Sequence, residues 1–119
     1  MKAKVAEATL IRLEEKVGLL TEKAWELKGA PGGGVLATFS PKDIDVTISP
    51  DDEVWHFEIR KDGLTVISFN SILGTSTDDG RVMVRLLSKM KQALSVYEKR
   101  QERKEFNELF DQVTKELGI

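Results

Sequence analysis

The chain has 119 residues, 40% hydrophobic and 32% charged, with 18 basic against 20 acidic side chains and a formal net charge of −2. That length suits a single domain, 1–119, with a core that needs no covalent staples. The near balance of charge selects neither nucleic acid nor membrane as a partner. There is no cysteine, which excludes disulfides, thiolate catalysis and cysteine-held metals.

The opening MKAKVAEATLIRLEEK is charged every few residues, unlike a signal peptide. No run approaches the ~20 apolar residues of a membrane helix, so a cytoplasmic location is expected. Residues 2–28 are predicted to be one helix. Ala6, Leu10, Leu13, Val17, Leu20, Ala24 and Leu27 are spaced alternately by four and three residues, a coiled-coil-like heptad seam. The alternative is an amphipathic helix lying on a sheet. Gly29 is placed as the helix C-cap, with Pro31 following, and GAPGGG as a hinge into the first strand. These glycines lie after a helix and before a strand, the reverse of a phosphate-binding loop.

Four strands are expected between residues 35 and 70. They are Val35–Phe39, then Asp43–Ile48 with Ile44, Val46 and Ile48 on one face, then Glu53–Arg60 with Trp55, Phe57 and Ile59 opposite His56, Glu58 and Arg60. The last is Leu64–Asn70, with Thr65, Ile67 and Phe69 on one face. The short connections SPKD, SPDD and KDG imply an antiparallel meander with one buried face. Lys61-Asp62-Gly63 is the strongest hairpin signal.

A helix is predicted over 78–117, capped by Thr75, Ser76 or Thr77, with Asp78 and Asp79 in its first turn. Met83, Leu87, Met90, Leu94 and Tyr97, broadened by Leu86, form one apolar stripe. At about 100° per residue, these fall near one line, whereas Phe106, Leu109, Phe110, Val113 and Leu117 lie about 80–180° away. One straight helix cannot bury both sets against one surface. Either it bends or breaks within 98–105, or it runs on and its last turns face a partner. That segment holds no Gly or Pro, which favours continuation to a length of about 58 Å. Tyr97, Phe106, Leu109, Phe110, Val113 and Leu117 are therefore the candidate dimer or partner interface, with a second copy as the default partner.

The fold class expected is α+β: an N-terminal helix, a four-stranded antiparallel meander and a long C-terminal helix packed on one sheet face and extending beyond it. No catalytic residue, cofactor or metal site is assigned. His56, the one histidine, sits in a polar strand row, and the Asp43/Asp45 and Asp51/Asp52/Glu53 acids match no calcium-loop spacing. Arg81, Arg85, Lys89, Lys99, Arg100, Arg103 and Lys104 fall between about 160° and 300° on the C-terminal helix. They form a ridge suited to a nucleic-acid backbone or an acidic partner, although surface aromatics for stacking on bases are scarce.

The reading is a non-enzymatic interaction module, homodimeric through its C-terminal helix: an adaptor, a chaperone-like subunit, or an inhibitor of the phage- or plasmid-borne sort. The alternative is a nucleic-acid binder using the basic ridge. In element order alone, the chain resembles dimeric nucleoid-associated proteins, and no residue role follows from that resemblance.

Overall fold

A computed structural model describes residues 7–39, 43–74 and 76–119. The expectations for residues 2–6, including Ala6, for the turn residues 40–42 and for Thr75 lie outside the described residues. The order is α1 (Glu7–Glu22), β1 (Glu26–Ala30), a single 3-10 turn (Pro31–Gly33), β2 (Gly34–Phe39), β3 (Ile44–Asp51), β4 (Val54–Lys61), β5 (Leu64–Ile72) and α2 (Asp78–Leu117). The class is α+β, with both helices packed into one core with a single antiparallel sheet in the order β1-β2-β3-β4-β5.

The sheet has five strands, not four, and spans residues 26–72 rather than 35–70. The helix expected over 2–28 ends at Glu22. Its last turn tightens through Lys23 N–H to the Leu20 carbonyl (3.1 Å) and Ala24 N–H to the Thr21 carbonyl (3.1 Å). Thr21 is fully buried, its hydroxyl donating to the Val17 carbonyl at 2.5 Å. The chain then turns back as β1, so Leu27 is buried from a strand. Its place in the heptad spacing is a coincidence of short periods. Within α1, Glu7–Glu22, the seam residues that face the core are Leu10, Leu13 and Val17, too few for a coiled coil. Gly29 is a strand residue paired with Val35, not a helix cap.

Pro31, Gly32 and Gly33 close the β1–β2 hairpin, with positive φ at both glycines. Gly34 has no alternative, because a Cβ there would overlap the Ile48 carbonyl oxygen. At the β4–β5 turn, Asp62 and Gly63 both have positive φ, the type I′ pattern expected of this hairpin.

The register brings two rows onto the inner face: Leu27–Ala37–Val46–Ile59–Ile67 and Gly29–Val35–Ile48–Phe57–Phe69. A bulge leaves Val66 unpaired, because Ile59 faces Ile67 while Arg60 faces Thr65. Thr65 is thereby turned away from Ile67 and Phe69, contrary to strict alternation. Its hydroxyl donates to Glu58 Oε1 at 2.5 Å across the outer face.

Met83, Leu86, Leu87, Met90 and Ala93 of α2 complete the core over the inner face. Thr77 caps the helix, its hydroxyl accepting from Gly80 N–H at 3.0 Å, and Asp78 and Asp79 occupy the positive end of the dipole. Forty residues make a helix of about 60 Å. The molecule measures 64 × 31 × 25 Å, with a radius of gyration of 17.6 Å. A compact chain of this length would have about 13–14 Å, so the excess is helix standing clear of the body.

Candidate interaction surfaces

α2 is unbroken through 98–105, as expected for eight helix-competent residues. Its contact with the body fades through Leu94 and Tyr97, both partly buried against the core. Beyond Tyr97 every side chain is exposed except that of Thr114. Phe106 is 65% exposed, Phe110 57% and Val113 50%, with Leu109 and Leu117 similarly open. The rings of Phe106 and Phe110 stack on each other, centroids 6.0 Å apart and planes 15° apart. The stripe from Phe106 to Leu117 is thus one apolar face about 16 Å long, and none of the described residues covers it. Tyr97, grouped with this stripe from the sequence, belongs to the anchored half.

The seven cations of the ridge divide into two sets. Arg81 bonds Asp78 one turn away. Arg85 Nη1 meets Glu14 Oε1 on α1 at 2.6 Å, and Lys89 donates to the Glu14 carbonyl. Arg85 and Lys89 therefore join the two helices within the chain. Lys99, Arg100, Arg103 and Lys104 lie on the free half, exposed, with no ion pair to any described residue.

The outer sheet face is polar. His56 Nδ1 lies 2.5 Å from Asn70 Oδ1, and His56 Nε2 lies 3.7 Å from Asp51. Among the described residues no hydrogen bond joins His56 to a hydroxyl, the contact a serine or threonine nucleophile would need. Nor do three or more His, Asp or Glu side chains of those residues converge as a metal site. Among them, too, no helix is long and apolar enough to cross a membrane.

Two surfaces escaped the reading of the sequence. The edge strand β5 exposes Leu64, Val66 and Ile72. Beside it, between α1 and the inner faces of β4 and β5, lies a cleft of about 310 Å³ with Leu13, Leu20, Phe57 and Ile67 as its apolar lining and Arg12 and Lys16 on the helix side. The stretch LTVISFNSI, nine residues without a charge, was the available signal for the edge. The cleft depends on where α1 docks and has no sequence signature.

No family model, no curated protein and no solved structure matches this chain.

Proposed function

We propose that this protein is a non-enzymatic interaction module that pairs with a second copy through the free half of α2 and presents the resulting dimer to another macromolecule, as an adaptor, a chaperone-like subunit or an inhibitor. The observation that carries the reading is the uncovered stripe of Phe106, Leu109, Phe110, Val113 and Leu117. Most helical stability in proteins comes from packing of an apolar face rather than from propensity, and the free half of α2 has no such packing within the described residues. Packing two such stripes together removes apolar surface from water at about 25 cal/mol per Å² and orders both helices at once. A second copy supplies a matching stripe by symmetry, which makes a two-fold pair the simplest partner.

Multi-angle light scattering tests this directly. Wild type is expected at twice the mass of one chain and Phe110→Asp at the mass of one, with the fold retained. Wild type running as a monomer at tens of micromolar, roughly the concentration at which a pair worth ~7 kcal/mol forms, would sink the reading.

Nucleic-acid binding is the second reading. Lys99, Arg100, Arg103 and Lys104, exposed and unpaired with any described residue, favour it. Four phosphate contacts predict a slope of about −3.6 in log K against log salt. Duplex binding that is absent at low salt, measured by fluorescence polarisation, removes this alternative.

A further inference from the structure

A meander has two edges, and they differ here. β1 is five residues long, carries Glu26 and Lys28, and is entered through Trp25 N–H bonding the Thr38 carbonyl at 2.8 Å. β5 is nine residues long, has neither charge nor proline, and holds Leu64 73% and Val66 60% exposed. Short length, charge and proline are the usual defences of an edge strand. β5 has only its bulge.

The inner face beside this edge is open as well. On α1, Glu14 and Gly18 face α2 through Arg85 and Lys89. Counting about 100° per residue puts Thr9, Arg12, Lys16 and Leu20 on the opposite flank. That flank walls the cleft whose floor is Phe57 and Ile67. At about 310 Å³ it stands at the low end of ligand clefts. Arg12 and Lys16, both exposed, make no ion pair with any described residue.

We propose that the β5 edge and this cleft form one peptide-binding site, in which an extended segment of a partner protein adds to β5 as a sixth strand. The edge amides and carbonyls of β5 bond the peptide backbone. Side chains alternate along a strand, so every second residue of the peptide turns into the cleft, and these are apolar. An acidic side chain beside them meets Arg12 and Lys16. Backbone pairing thus supplies affinity, while the cleft and its two cations select the sequence. The site rests on the interaction-module reading for its biological sense, names the chemistry of the partner, and uses none of the α2 stripe.

The probe is a fluorescein-labelled octapeptide alternating valine and threonine with one glutamate near its end. It is titrated by polarisation into wild type and into the Phe110→Asp variant. Saturable binding of one peptide per protomer is expected in both, with amide exchange slowed along 64–72 and unchanged along 26–30. Val66→Lys should weaken binding roughly tenfold, and so should Arg12→Glu with Lys16→Glu. The double reversal should also favour a lysine-bearing peptide over the glutamate one. All three positions are exposed, and circular dichroism confirms that each variant folds.

Three results would overturn the site. One is the absence of saturation with either peptide. Another is undiminished binding after alternate peptide amides are N-methylated. The third is a wild-type assembly larger than a dimer that Val66→Lys cuts back, since a second copy then occupies the edge. A monomeric wild type that still binds peptide would sink the helix-mediated dimer and leave this site standing.

Discussion

The two halves of α2 share one backbone geometry and live under opposite conditions. From Asp78 to Tyr97 the helix is capped by Thr77, tied to α1 through Arg85 and Lys89, and buried along Met83, Leu86, Leu87 and Met90. From Glu98 to Leu117 it touches little but solvent, yet its apolar residues are as regularly spaced as those of the buried half. Continuity is settled locally, by residues that all tolerate helix. The direction in which each half faces is settled by which positions are apolar. A rotation of roughly 80–180° between the stripes lets one helix address two surfaces.

The sharpest break in this comparison is core truncation. Met90→Ala should cost about 2–5 kcal/mol in urea unfolding. Phe106→Ala, made in the monomeric Phe110→Asp background, should change stability by no more than about 0.5 kcal/mol. A loss at Phe106 as large as at Met90 would mean that the outer half packs on its own body. Gln101→Pro separates the halves differently. Proline costs ~3 kcal/mol inside a helix, but here the break falls beyond the core. Helical circular dichroism and the dimer mass should fall, while the urea midpoint measured from the tryptophans of the monomer holds. Thr77→Ala should remove about 1 kcal/mol from the anchored half by orphaning the Gly80 N–H. Glu14→Gln is the mildest change to the anchored half: its partner Arg85 is 60% exposed at the side chain, so less than about 1 kcal/mol is expected, shrinking as salt rises.

What could be read in advance followed from how far each pattern extends. β3 and β4 alternate over several residues with large apolar side chains, and Asp62-Gly63 announces the turn from β4 into β5, so this part of the meander was legible. The phase shift along α2 was legible because two complete stripes bracket the change. β1 was not. It offers one large apolar side chain, Leu27, and that residue happens to continue a heptad begun by Leu10 and Val17. Strand and helix periods agree over so short an interval, and the decision fell to pairing with β2, a tertiary event. The Val66 bulge was hidden for a similar reason: the register of β5 depends on Ile59 and Arg60 in the neighbouring strand. The uncovered stripe and the candidate strand site stand apart in this respect. Phe106 to Leu117 can be marked from spacing alone, whereas the cleft walled by Arg12 and Lys16 exists only once α1 has settled on the sheet.

Because α2 passes from the body to its free end without a joint, the bearing of Phe106 and Phe110 relative to the sheet is held like the angle of a cam on its shaft. One alanine inserted after Gln101 should swing the free stripe by about 100° while advancing it only ~1.5 Å. Seven inserted residues should return it to within about 20° of its first bearing, some 10 Å farther out. Any partner that must touch the body and the shaft together would tolerate neither insertion, whereas one gripping the shaft alone would accept both.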